Sequence, residues 1–144
     1  MRDQHTTIQT ADGAMNAFIT CPEEGGPYPV VIFYMDAPGK REELHDMARR
    51  IATVGYYVVL PNLYYRDVLE FHLGMPDATR DRMFELMSTL SKALVCEDTC
   101  AILEFRKGEK SASNGPVGAV GYCMSGPFVF AAAAKFPERI KASA

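Results

Sequence analysis

Residues 120–127 read Val120-Gly121-Tyr122-Cys123-Met124-Ser125-Gly126-Pro127. On the N-terminal side, Pro116 to Gly121 is a short run of small residues that predicts a strand. On the other side, Gly126 to Phe136 is alanine-rich, predicts a helix and closes before Pro137. A residue in a sharp turn from strand to helix is held in a strained backbone conformation, which requires small neighbours two positions to either side. Gly121 and Ser125 meet that requirement around Cys123, so the stretch reads as a nucleophile elbow with cysteine in the serine place. The N-terminus of the following helix favours a thiolate, and backbone N–H groups there can stabilise an oxyanion at an attacked carbonyl. Both effects favour acyl transfer. The plainer alternative for Cys123 is a small buried hydrophobe at a tight turn. A P-loop does not fit, because Pro127-Phe128 follow Gly126 where Lys and Ser or Thr are needed, and the Gly-x-Gly-x-x-Gly spacing is absent. Pro127, two residues after Ser125, also makes Ser125 a poor nucleophile.

Working outward, Val30 to Met35 is a continuous apolar run, which suits a strand covered on both faces of a parallel sheet. From Arg41 to Val54, Leu44, Met47, Ala48 and Ile51 recur at helical spacing, with Arg41, His45 and Arg49 assigned to the solvent face. Gly55 stops this helix and Tyr56 to Pro61 is the next buried strand, completing a strand-helix-strand unit. Ahead of it, Thr7–Thr10 and Met15–Thr20 flank an Asp12-Gly13 turn and predict an antiparallel hairpin. Residues 62–76 form a polar and aromatic excursion too long for a simple connector, read as a mobile binding loop. Asp77 is the expected cap of a helix carrying Met83, Phe84, Met87 and Leu90. A further helix has Glu97 and Asp98 near its start and Arg106, Lys107 and Gly108 at its end, with a break near Ser91 to Val95. The order is that of an α/β domain, mostly parallel, with flanking helices.

The composition sets outer limits. A length of 144 residues allows one domain, and 48% hydrophobic with 23% charged residues and a mean hydropathy of -0.08 predicts folding by burial rather than disorder. A net charge of -3 without a basic block argues against nucleic-acid binding. The first residues, Met1-Arg2-Asp3-Gln4-His5, lead into no apolar segment, and no run nears the ~18 residues that span a bilayer. A cytoplasmic location without membrane association is the expectation. Cys21, Cys96, Cys100 and Cys123 form no CxxC pair and are read as reduced thiols. Cys96 and Cys100 lie one helical turn apart with no histidine nearby, so no metal or other cofactor is expected.

Four stretches together resemble the dienelactone hydrolase family: Phe33 to Gly39 after a strand, Arg41-Glu42-Glu43-Leu44 opening a helix, Gly55 to Tyr64, and Val120-Gly121-Tyr122-Cys123. The resemblance spans nearly the whole chain. It implies an α/β-hydrolase fold and hydrolysis of a lactone or related carboxylic ester. Residue by residue, it implies Cys123 as nucleophile and the backbone N–H groups of Met124 and Ala37 as oxyanion hole. Asp36 stands where the family places a glutamate that controls cysteine ionisation, with a side chain one methylene shorter; a strand-end Asp bonding its own turn is the alternative. Arg80 stands where an arginine grips the substrate carboxylate, with Arg82 as a rival and Phe84 where a tyrosine is expected. Ser125 replaces the glycine usual after the elbow.

The resemblance also implies residues that do not occur here. The triad order is nucleophile, acid, histidine, yet no histidine and no aspartate follow Cys123, and Glu138 is the only acid there. His5 lies in the N-terminal segment and His45 on the helix, leaving His72 as the one candidate base. The final residues, Arg139 to Ala144, look like the lead-in to another strand. The expectation is therefore an incomplete α/β-hydrolase domain over residues 1–144, lacking C-terminal strands and helices, with an exposed sheet edge and uncovered apolar surface. Three functional readings follow: a thiol-dependent lactone or ester hydrolase of weak or no turnover, a non-catalytic hydrolase-like module completed by another chain, or an independent esterase using Cys123 with His72.

Overall fold

Ten regular elements follow the expected order in the computed structural model, which describes residues 1–144. They are β1 (Arg2–Thr10), β2 (Gly13–Cys21), β3 (Val30–Tyr34), α1 (Glu42–Ala52), β4 (Tyr57–Pro61), α2 (Arg80–Ser88), α3 (Lys92–Phe105), β5 (Val117–Gly121), α4 (Gly126–Lys135) and β6 (Ile140–Ser143). The strands form one sheet in the order β1-β2-β4-β3-β5-β6. The β1–β2 and β2–β4 pairs are antiparallel, and β3, β4, β5 and β6 run parallel. The hairpin turns at Ala11-Asp12, where Gly13 takes a φ of 129° that a side chain would resist.

All five residues of β4 are buried, as its unbroken apolar run requires of a strand covered on both faces. Tyr34 of β3 points toward α3, where its hydroxyl meets Thr99 Oγ1 at 2.7 Å. Val31, on the opposite face, lines a groove with Ile51 of α1. The sheet is thus sandwiched between α1 on one side and α3 with α4 on the other. On the α1 side the layer is partial. A groove of about 570 Å³ over β3, β5 and β6 is lined by Val31, Ile51, Tyr56, Val120 and Ala142 among others. No helix covers it, in keeping with the expected uncovered apolar surface.

Three local readings are corrected by packing. His45 does not face solvent: it is 8% exposed and stacks on Phe18 of β2 at 4.2 Å between ring centroids. A histidine can serve as a flat core surface when one nitrogen finds a partner, here Nδ1 with Glu42 at 3.0 Å. The cap of α2 is Thr79, whose hydroxyl accepts from Arg82 N at 3.1 Å, not Asp77. Glu97 and Asp98 do not open α3. Ser91 caps that helix, and Asp98 is fully buried in its middle, accepting from both Arg66 terminal nitrogens (2.9 and 3.2 Å) and from Tyr65 Oη (2.7 Å). Burial raises the Asp98 pKa against these bonds, which lower it.

Burial also lowers the pKa of His45, with the Glu42 hydrogen bond opposing. The folded chain therefore resists protonation that the unfolded chain accepts. Stability from this group is fully present above the ordinary histidine pKa and is lost as pH falls from there through the lowered pKa of the folded state. Urea midpoints should fall between about pH 7.5 and about pH 5.5, and His45→Phe, which keeps the stack on Phe18, should reduce that fall. An equal fall in both proteins would remove His45 as the cause.

Candidate active site

Parallel pairing brings three strand ends together. In the β3–β5 register Tyr34 lies opposite Gly121, so Met35 to Ala37 emerge beside Tyr122 to Met124, and β4 ends on the other side of β3. The carboxyl ends of adjacent parallel strands are where α/β sheets bind ligands.

At the end of β5 the backbone turns through Cys123, whose φ of 58° is the only positive value at a non-glycine residue in the chain. Cys123 is exposed, which removes the buried-hydrophobe alternative. A short 3-10 turn (Cys123–Ser125) runs directly into α4. The small flanking residues are required by space. A Cβ on Gly121 would lie 2.8 Å from Val129 Cγ2 and 3.0 Å from Ser125 Cβ. Ser125 is fully buried, and its hydroxyl donates to Met35 O at the end of β3. That bond ties the elbow to the neighbouring strand, a role that a glycine there would lack. Ser125→Ala leaves the Met35 carbonyl without its donor and should cost about 1–3 kcal/mol in urea denaturation. A change below a few tenths of that would show the tether to be idle.

The turn after β3, Asp36-Ala37-Pro38-Gly39, closes with Gly39 N donating to Asp36 O at 3.1 Å. Asp36 is held bidentately by Arg41, at 2.7 and 3.1 Å, and Arg41 also donates to Gly39 O at 2.8 Å. The N–H groups of Ala37 and Met124 donate to no acceptor in the protein. Both are thus uncommitted within the fold.

Tyr64 is a site residue that sequence reasoning missed. It is fully buried just beyond β4, and its hydroxyl donates to Ala37 O at 2.8 Å with Met124 Sδ 3.5 Å away. Burial raises its pKa, and the charge of Asp36 adds to the effect. The signal available in the sequence was the run of apolar and aromatic residues within a polar segment. The 62–76 stretch is accordingly not a mobile loop. Asn62, Leu63, Tyr64 and Phe71 are buried, and Asn62 Nδ2 bonds Asn16 Oδ1, Val68 O and Leu69 O.

The remaining candidates stand apart from Cys123 in their contacts. Arg80 is the exposed first residue of α2 and makes no side-chain hydrogen bond, whereas Arg82 is paired with Glu85 at 2.9 Å. Phe84 is 53% exposed. His72 forms no hydrogen bond with Cys123; it lines a polar cavity of about 410 Å³ with His5, His45 and Lys40, to which Cys123 does not contribute. All four cysteines are free thiols, and no three His, Cys, Asp or Glu side chains are grouped to hold a metal ion. No helix is long and apolar enough to cross a membrane.

Comparison with known proteins gives the family and the fold. The sequence profile of the dienelactone hydrolase family covers residues 15–144, so the chain belongs to that family. A Methylorubrum extorquens protein named "Putative carboxymethylenebutenolidase" is 30% identical over 130 residues, covering 90% of this chain and 44% of the relative. The carboxymethylenebutenolidase of Pseudomonas putida is 28% identical over 137 residues, covering 94% and 57%. A Klebsiella pneumoniae crystal structure named "Putative Dienelactone Hydrolase" superposes with a TM-score of 0.85 at 26% identity, covering 99% of this chain and 57% of that one. The architecture is that of the α/β-hydrolases, and the chain spans about half the length of the curated relatives it matches.

Proposed function

We propose that this member of the dienelactone hydrolase family accepts an acyl group from a lactone or carboxylic ester on Cys123. The observation that carries the reading is the exposed Cys123 at a φ of 58°, flanked by unengaged N–H groups on Met124 and Ala37. In this reading the Cys123 thiolate attacks the carbonyl carbon, and the carbonyl π electrons move onto oxygen, where the two N–H groups hold the charge. Collapse of the tetrahedral adduct breaks the C–O bond; the expelled oxygen takes up from solvent the proton that the thiol had released, departing as the alcohol of an ester or staying on the acyl chain as a hydroxyl when a lactone ring opens, and a thioester remains. Water then releases the acid and restores the thiol. Arg80 is our candidate for the substrate carboxylate, since its guanidinium is uncommitted. Asp36 is our candidate for controlling the ionisation of Cys123, a role that requires its carboxylate to leave Arg41 during the cycle.

No histidine hydrogen-bonds to Cys123, so in this reading the last step lacks a histidine base to activate water. Stopped-flow mixing with p-nitrophenyl acetate is expected to release one equivalent of p-nitrophenolate per chain and then stall, with an acetyl group found on Cys123 by mass spectrometry. Absence of the first equivalent would overturn the reading. Sustained turnover lost on His72→Ala would instead make His72 the base.

The second reading is a non-catalytic module completed by another chain, and the bare apolar groove over β3, β5 and β6 favours it. Its occupant would be an apolar segment supplied by that other chain. This reading predicts a monodisperse complex by light scattering when such a segment is co-expressed, and no acylation of Cys123 in it.

A further inference from the structure

We propose that Tyr64 is a positioning residue that sets the Ala37 arm of the oxyanion hole, and that the 62–73 connection is folded to hold it there. The inference rests on Cys123 as acyl acceptor, and it assigns a role to a segment outside both the elbow and the β3 turn.

Each carbonyl of the turn has a donor. Asp36 O accepts from Gly39 N at 3.1 Å, Ala37 O from Tyr64 Oη at 2.8 Å, Pro38 O from Leu73 N at 2.8 Å, and Gly39 O from Arg41 Nη1 at 2.8 Å. Two of these four donors come from the 62–73 connection. Pro38 has no N–H, and the Ala37 N–H is left without an acceptor. Four tied carbonyls and two spare N–H groups, those of Asp36 and Ala37, make a turn that can meet developing charge without reorganising, which is the property oxyanion stabilisation depends on.

Tyr64 is placed to link the two arms. Its hydroxyl has one proton, given to Ala37 O, and Met124 Sδ lies 3.5 Å from Tyr64 Oη. The residue is itself anchored: its N–H donates to Asn62 Oδ1 at 3.1 Å, and Phe71 packs edge-on to its ring with centroids 6.1 Å apart. The connection approaches the turn so closely that a Cβ on Gly39 would collide with the Phe71 carbonyl oxygen. Because burial keeps the phenol protonated, the bond to Ala37 persists across the working pH range.

The test separates reactions of one thiol that do and do not develop an oxyanion. Acylation by p-nitrophenyl acetate does, and alkylation by iodoacetamide does not. Tyr64→Phe is expected to slow Cys123 acylation about tenfold, below the 10²–10³-fold typical when an oxyanion donor is removed outright. Alkylation should keep its wild-type rate and pH profile. An unchanged acylation rate, or an equal loss in both reactions, would overturn the positioning role. No acylation even in the wild type would overturn the Cys123 reading, and the role of Tyr64 with it, so the two failures are distinct. Should the phenylalanine variant fail to fold, a trifluorotyrosine at position 64 keeps the shape and acidifies the hydroxyl. The ratio of acylation to alkylation should then fall as pH rises and the phenolate forms, because a phenolate cannot donate to Ala37. A ratio flat with pH over the range in which that phenol is seen to ionise spectroscopically would overturn the role.

Discussion

Cys123→Gly is expected to give a protein that no longer acylates and is at least as stable as the wild type. The φ of 58° at Cys123 lies in the left-handed region, where an L side chain costs about 1–2 kcal/mol and glycine costs nothing sterically. Against this relief stands the larger backbone freedom of glycine in the unfolded chain, about 0.5–1 kcal/mol. The net effect is a gain of up to about 1 kcal/mol, alongside complete loss of the p-nitrophenolate equivalent. Cys123→Ala isolates the two parts. It removes the thiol but keeps the Cβ and the strain, so acylation is expected to vanish with little change in the urea midpoint. A residual equivalent in the alanine variant, traced to Cys21, Cys96 or Cys100, would show that the elbow is not the acyl acceptor. A glycine variant clearly less stable than the alanine variant would show that the backbone there is relaxed.

The second large effect concerns Gly121 and is expected to be structural. Its φ is not positive, so the demand there is for space. Valine would place its Cβ 2.8 Å from Val129 Cγ2 and 3.2 Å from Ser125 O, and the second of these is backbone. Overpacking of a close-packed interior costs about 1–3 kcal/mol even when side chains can shift. Here the obstacle includes the turn itself, so a loss of about 3 kcal/mol or more is expected for Gly121→Val, out of the roughly 5–15 kcal/mol typical of a domain. Soluble yield should fall sharply, and Cys123 should become as reactive toward iodoacetamide as a free thiol in peptide. Gly126→Ala is the control. A Cβ added at Gly126 meets nothing within 4 Å, and the residue lies in α4, so alanine should be neutral or stabilising by about 0.5–1 kcal/mol. Equal damage from both substitutions would contradict the packing argument.

Cys123, Gly121 and Ser125 were legible because an elbow constrains consecutive residues, and constraints of that kind are written in local spacing. The same holds for β3 and β4, whose continuous apolar runs announce strands buried on both faces. Readings failed where a local rule competed with a distant partner. His45 has the spacing of a solvent-facing residue, yet Phe18, 27 residues earlier, covers it. Asp98 resembles a helix-start carboxylate, yet it answers Arg66 from across the fold.

The sequence by itself determined the α/β class, the order of the elements and the elbow at Cys123, because each rests on periodicity or on neighbours within a few residues; the dienelactone hydrolase likeness came from the resemblance of four stretches to that family. Tertiary structure alone decided that the Ala37 N–H is unengaged, that Asp36 is bound to Arg41, and that residues 62–73 brace the turn after β3 rather than move over it. The physical reason is the parallel register. The ends of β4, β3 and β5 meet only when the strands pair, so which hydroxyl reaches which carbonyl depends on residues 27 and 60 positions apart in the chain.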